Sequence, residues 1–295
     1  MLRRMAWGAG TVTALGILVC GAAGAILCES AIRAPRRHPP GAPSRLGPGV
    51  RWRNVRITAS DGAVLQAWLL WPRNANGNSV IVLHGIADSR AGEMGLARML
   101  LAHGYTVLLP DSRGHGDSGG DLVTYGLREA GDLHRWVTWL ITDQHPLHVF
   151  GMGESLGAAV LLQSLAIEPR FSAVVAECAF ASFARIADDR VSQRVPRVMA
   201  FPAVWMGFEY ARLRYGLDFR GASPEAVLPK VAIPVLLIHG LADDKTPPIH
   251  SEILAAENPR WVRLWLVPGA GHTGAFGTAP QEFQRRVLGW FAGVR

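Results

Sequence analysis

The stretch LHVFGMGESLGAAVL, residues 147–161, holds a Gly153-Glu154-Ser155-Leu156-Gly157 at its centre. Val149 and Phe150 lead into it as an apolar run, and Leu156, Val160, Leu161 and Leu165 follow at helical spacing, so the pattern predicts a strand that turns sharply into a helix at Ser155. A serine hydroxyl at neutral pH is a weak nucleophile. The turn lifts it clear of the sheet toward a base, while the backbone N–H of the next residue faces any developing oxyanion. Glycines at 153 and 157 allow the close strand-to-helix approach that this turn needs.

Two later segments supply partners for such a serine. Val235–Ile238 is an apolar run ending in His239-Gly240-Leu241-Ala242-Asp243-Asp244-Lys245-Thr246-Pro247, which puts carboxylates on the loop after a strand. Trp261–Val267 is another such run, followed by Pro268-Gly269-Ala270-Gly271-His272. These pieces, with LHG at 83–85 and DSRGHGDS at 111–118, resemble the α/β-hydrolase superfamily, in its serine aminopeptidase-like and monoacylglycerol-lipase-like branch, over roughly residues 50–292.

In that superfamily the triad runs serine, acid, histidine. The resemblance therefore implies Ser155 as nucleophile, His272 as the base that takes and returns the proton, and Asp243 as the acid that orients the imidazole. The family pattern H-G-x-x-D-x-x-[VT]-P falls on Asp243 and leaves Asp244 one position out of register. Glu177, closing the apolar run Ala173–Glu177, is the runner-up acid. The segment His84-Gly85-Ile86-Ala87 follows the short apolar run Val80–Leu83 where the family builds half of its oxyanion hole, so the backbone N–H groups of Ile86 and Leu156 are assigned to that role. The HGGG form of many lipases and esterases is absent from this position. His84 itself reads as a satisfied imidazole in a tight turn, and His115 has no late strand to place it as a base.

The chain has 295 residues and a net charge of +7. Residues 1–50 hold six arginines (3, 4, 33, 36, 37 and 45) against Glu29, so +5 lies there and +2 on the remaining 245 residues. The high pI thus describes the N-terminus and gives no argument for nucleic-acid binding. Three cysteines, Cys20, Cys28 and Cys178, make neither a disulfide framework nor a metal spacing. No dinucleotide fingerprint, P-loop or zinc spacing occurs, and no cofactor or metal is expected.

From Met5 to Cys28 there are 24 residues without a charge, enough to cross a bilayer. Three readings compete for residues 1–30: an uncleaved membrane anchor, a signal peptide cleaved at Ala23-Gly24-Ala25, and a buried helix of the globular fold. The length favours the anchor, with the catalytic domain extracytoplasmic; the chain would be secreted if the N-terminus is cleaved. The Pro/Arg-rich stretch 31–49 reads as a linker.

Beyond it, 50–295 reads as one α/β domain: a doubly wound, mostly parallel sheet preceded by a hairpin, Val50–Ile57 and Val64–Trp71, turning at Ser60-Asp61-Gly62. The regular alternation stops between about 181 and 229. A stretch of that length needs helices of its own and is expected as a small cap, in which Phe201, Val204, Trp205, Phe208, Tyr210 and Leu213 either line an apolar acyl pocket or pack the cap on the core. Asp188, Asp189 and Glu209 are the acids there that a peptidase would need for a substrate amine. The expected function is a serine hydrolase acting on an ester, thioester or amide of a small-molecule or lipid-like acyl substrate. The alternatives are a non-catalytic binding protein of the same fold and a serine aminopeptidase-type peptidase.

Overall fold

In the computed structural model, which describes residues 19–294, apolar runs bounded by turn residues become the strands of one eight-stranded sheet. β1 (Arg51–Thr58) and β2 (Val64–Trp71) form the expected hairpin, followed by β3 (Ser79–Leu83), β4 (Thr106–Pro110), β5 (Val149–Glu154), β6 (Phe171–Glu177), β7 (Val235–Gly240) and β8 (Val262–Val267). Their spatial order is β1-β2-β4-β3-β5-β6-β7-β8, with β2 antiparallel to both β1 and β4 and every pairing from β4 through β3 to β8 parallel. β3 and β4 are buried along their whole lengths, as strands covered by helices on both faces must be.

After β3 the chain moves one way to β4, and from β5 onward it moves the other way. The sheet therefore has its switch point between β3 and β5, and ligands of open α/β sheets bind beyond the strand ends at such a point. One apolar cluster fills the face under α3 (Glu129–Gln144) and α4 (Leu156–Ser164). The other fills the face under α2 (Met94–Ala102) and the C-terminal helix Pro280–Ala292.

The interruption expected at 181–229 is a helical cap: α5 (Phe183–Ser192), α6 (Arg197–Tyr215) and the short α7 (Pro224–Val227), before the chain returns to β7. On α6, Val204 and Phe208 turn inward, Phe208 stacking on Phe183 of α5 with ring centroids 5.7 Å apart. Phe201, Trp205 and Leu213 face solvent. The six residues singled out in the cap thus divide between the two expected roles and the surface.

Residues 5–18 of the expected membrane anchor lie outside the described residues. Among the described residues no helix is long and apolar enough to cross a membrane. Residues 19–32, which we call α1, are helical and lie against the cap rather than standing apart from the domain. At their crossing, a Cβ on Gly24 would lie 2.6 Å from the Gly207 nitrogen of α6, so only two glycines let the backbones come this near. Glu29 accepts hydrogen bonds from Tyr210 (2.8 Å), Tyr215 and Arg33, while Cys28 and Ile32 are buried in the main apolar cluster.

The Pro/Arg-rich stretch then follows the surface of the domain. The Ile32 carbonyl accepts from the Val123 N–H (2.8 Å), Arg36 donates to the carbonyls of Ser118 (2.7 Å) and Gly120, and His38 Nδ1 lies 3.0 Å from Asp117. An apolar, proline-punctuated composition does not distinguish a segment bound for lipid from one docked on its own domain. The partners lie some 80–190 residues away, and they make the difference.

Candidate active site

At the end of β5 the chain enters α4 through Ser155, whose backbone sits at φ 52°, ψ −114°. A non-glycine residue held at positive φ costs about 1–3 kcal/mol and persists only where its surroundings force it. Here the forcing is visible. The Ser155 N–H donates to the Glu177 carbonyl on β6 (2.8 Å), and α4 is drawn so close to β3 that a Cβ on Gly157 would stand 2.7 Å from the His84 carbonyl oxygen, with that of Leu83 nearer still.

Ser155 Oγ lies 2.9 Å from His272 Nε2, and His272 Nδ1 lies 2.7 Å from Asp243 Oδ2. His272 comes from the loop after β8 and Asp243 from the loop after β7, so the parallel strands β5, β7 and β8, with β6 between the first two, deliver the three residues to one edge of the sheet. Asp243 is buried and Asp244 exposed. Asp243 Oδ1 accepts from the Lys245 and Thr246 amides, each at 2.9 Å, which fixes the rotamer. His239 lies behind it, with Nε2 donating to the Thr246 carbonyl (2.7 Å) and 3.3 Å from Asp243 Oδ2. Burial alone would raise the Asp243 carboxyl; hydrogen bonds from His239, His272 and the Thr246 amide outweigh it and hold the group well below the usual carboxylate range, hence ionised.

The runner-up acid is placed elsewhere. Glu177 is fully buried and accepts from the Ala275 amide (2.9 Å), and His272 turns its Nδ1 to Asp243 instead. His84 is buried with both ring nitrogens engaged, Nδ1 with the Gly85 carbonyl (2.7 Å) and Nε2 accepting from the Ser112 amide (3.0 Å). His115 packs edge-on against it, 5.2 Å between centroids, and burial together with His84 pushes its pKa down to about 4. His115 belongs to the DSRGHGDS loop, which His84 contacts through Ser112, which Arg90 pins through Asp111 and Asp117, and which Arg113 ties to Asp132 and Asp61.

Among the described residues the amides of Ile86 and Leu156 have no hydrogen-bond acceptor in the protein. Ile86, Ser155 and Leu156 line one cavity of about 470 Å³. Its apolar wall is aromatic, with Tyr125 stacked on Phe183 (3.8 Å between centroids) and Phe219 edge-on to Tyr125. The sequence reading missed these three rings and also Leu27, Cys28, Ala31 and Ile32 of α1, which line the same cavity. Their helical spacing was legible, but not which surface they would cover.

Cys178, His239 and Asp243 bring possible ligand atoms within 4.8 Å of one another. Each is otherwise committed: Asp243 to His272, both His239 nitrogens to Ser251 and Thr246, and the Cys178 thiol is pushed up by burial, away from the thiolate a metal takes. The donor set does not fit a metal.

Behind the serine a further feature escaped the sequence reading. Glu177 is buried and Glu154 half-buried beside it at the ends of paired strands, and loss of solvent first, then neighbouring acids, pushes Glu154 up to about 8 and Glu177 up to about 7 from 4.5. The folded chain keeps these protons to higher pH than the unfolded chain does, so folding becomes less favourable as pH climbs from about 4.5 through about 7 to 8 and levels off above. A Glu154→Gln, Glu177→Gln double variant is therefore expected to lose less Tm than the wild type between about pH 5 and about pH 8. Calorimetry at both pH values checks this, and parallel losses in the two proteins would count against it.

The sequence pattern of the alpha/beta hydrolase family matches residues 80–286. Among proteins of known sequence, the chain is 33% identical to the uncharacterized protein Rv2307c of Mycobacterium tuberculosis over 225 residues (75% of this chain, 72% of that one). It is 30% identical to the uncharacterized protein YfhR of Escherichia coli over 243 residues (80% and 78%). Among solved structures, the Pyrococcus furiosus esterase Pf2001 superposes with a TM-score of 0.70 at 25% identity, covering 90% of this chain and 98% of that one. Acetyl xylan esterase 1 from Thermoanaerobacterium sp. gives 0.62 at 18%, over 91% and 93%, a likeness of fold. By its sequence pattern, its sheet order and these relatives, the chain belongs to the alpha/beta hydrolase family.

Proposed function

We propose that this hydrolase cleaves carboxylic esters or thioesters of acyl substrates through an acyl-enzyme on Ser155. The observation that carries the reading is the hydrogen-bonded line Ser155–His272–Asp243 opening on an apolar cavity. His272 Nε2 takes the Ser155 proton as Oγ attacks the carbonyl carbon, and the ionised Asp243 stabilises the imidazolium. The N–H groups of Ile86 and Leu156 receive the negative oxygen of the tetrahedral centre. The proton then passes from His272 to the leaving group. Water, deprotonated by the same nitrogen, attacks the acyl-enzyme and releases the acid.

The esterase likeness at 25% identity supports an ester substrate. An aminopeptidase would need a free carboxylate for the substrate amine at the serine, yet Asp189 is held by His250 (2.9 Å), Glu209 is paired with Arg212 and Arg220, and Asp188 lines a separate recess with Arg185 and Arg197 and not the cavity of Ser155. A non-catalytic binding role leaves the strained, hydrogen-bonded serine without a purpose.

A fluorophosphonate probe tests the chemistry without the correct acyl chain, because it needs the same activated hydroxyl. Labelling of the folded protein is expected, with mass spectrometry placing the adduct on Ser155. A folded protein that stays unlabelled, or an adduct on another residue, would overturn the reading.

A further inference from the structure

The cavity beside Ser155 is lined by apolar side chains and by two arginines. Phe183, Ile186 and Ala187 face it from the first turns of α5, Arg190 and Val191 continue the same face, and Arg194 follows in the turn just past the helix end. Three other arginines of the cap are ion-paired, Arg185 with Glu225 and both Arg212 and Arg220 with Glu209, and Arg214 lies over the ring of Tyr215. Among the described residues neither Arg190 nor Arg194 has an ion-pair partner or a hydrogen-bond acceptor. Asp189, the acid next to Arg190 in the chain, is turned away and held by His250 Nε2.

A favourable interaction of Arg190 with the C-terminal end of the α5 helix needs only that the arginine sit in the last turn. It does not explain why two guanidinium groups join the lining of a pocket whose other residues are mostly apolar. The C-terminal end of α5 is also fastened to the catalytic loop, since Gln193 Nε2 donates to the Asp244 carbonyl (3.2 Å). The two cations are therefore tied to the part of the site that holds the acid of the triad.

A guanidinium is always charged and offers a planar fork of donors that matches a carboxylate or phosphate. We propose that the substrates are anionic amphiphiles: acyl esters whose apolar chain lies against Phe183, Phe208 and the α1 residues Leu27 and Ala31, and whose carboxylate or phosphate group is held by Arg190 and Arg194. This rests on the ester-hydrolase reading above and adds the charge of the substrate to it.

The test uses hydrolysis of neutral p-nitrophenyl butyrate by the full chain, inhibited in turn by octyl phosphate, octanoate and octanol. Octyl phosphate or octanoate is expected to bind about tenfold or more tightly than octanol, the scale of a charge-assisted hydrogen bond. In an Arg190→Gln, Arg194→Gln double variant that preference should collapse to near unity. It should persist in the Arg190→Lys, Arg194→Lys variant, which keeps the charge, and in Arg285→Gln on the C-terminal helix. The tighter of the two anions assigns the headgroup as phosphate or carboxylate.

Equal inhibition of the wild type by octanol and both anions would overturn the proposal, as would a preference that survives the double glutamine variant. No turnover of the neutral ester by the wild type would instead strike at the hydrolase reading beneath it.

Discussion

Asp243→Asn is expected to lower kcat for a p-nitrophenyl ester by about 10⁴-fold, the scale found when a triad aspartate is made neutral, while Asp244→Asn stays within about twofold, as befits an exposed residue. The geometry says why an isosteric change should cost so much. Asp243 Oδ1 is fixed by two N–H donors, the Lys245 and Thr246 amides at 2.9 Å. In the asparagine variant the amide oxygen must take that position, because an NH₂ there would face two donors. The NH₂ then occupies the site of Oδ2, pointing at His272 Nδ1 across 2.7 Å. A donor in that place forces Nδ1 to accept, so the ring proton moves to Nε2, the nitrogen that must take the proton of Ser155. The variant would fold and bind yet hold its base in the wrong tautomer. Steady-state kinetics on the two variants and on Glu177→Gln decides the matter: equal losses at 243 and 244, or the largest loss at 177, would show that the acid has been misplaced.

Gly157→Ala should cost several kcal/mol of stability, at or beyond the roughly 4–5 kcal/mol that marks an exceptional point mutation. The added methyl meets the carbonyls of Leu83 and His84, main-chain atoms at the end of β3 that cannot swing aside as a side chain would. Any relief would move the chain leading to Ile86, so activity should fall with stability. Gly131→Ala makes the internal control. Gly131 lies in α3, a Cβ there meets nothing within 4 Å, and the change should raise stability by roughly 0.5–1 kcal/mol through helix propensity alone. Urea titration of both variants checks the pair, and a Gly157→Ala protein within about 1 kcal/mol of the wild type would contradict the close approach.

The core of the site was readable in the sequence because its determinants are local. Val149-Phe150 before Gly153-Glu154-Ser155-Leu156-Gly157 marks strand, turn and helix within a few residues, and Asp243 and His272 each follow an apolar run of strand length. The family pattern that IHGLADDKTP resembles also favoured Asp243 over Asp244, one buried and the other exposed.

What escaped depends on partners distant in the chain. Nothing near Glu29 indicates that Tyr210 and Tyr215 will bond to it, and nothing near Glu154 indicates that Glu177 will be buried beside it. Within α6 the apolar residues run round the helix, so periodicity cannot sort inward Phe208 from outward Phe201 and Leu213. On α5 a single stripe could have been read, and its arginines were legible as exceptions to it.

The contact of α1 with the cap also sets an order of events during synthesis. Glu29 and its tyrosine partners are 181 and 186 residues apart, so at about 5–20 residues per second the ribosome needs some ten to forty seconds between making the one and the other. Throughout that interval an apolar helix has been made whose docking surface does not yet exist. A segment translated ahead of the whole sheet is thus among the last to find its place, and the pocket wall closes only after the cap has folded. Slow translation through the cap would lengthen the time for which this stretch is open to chaperones or to a wrong partner.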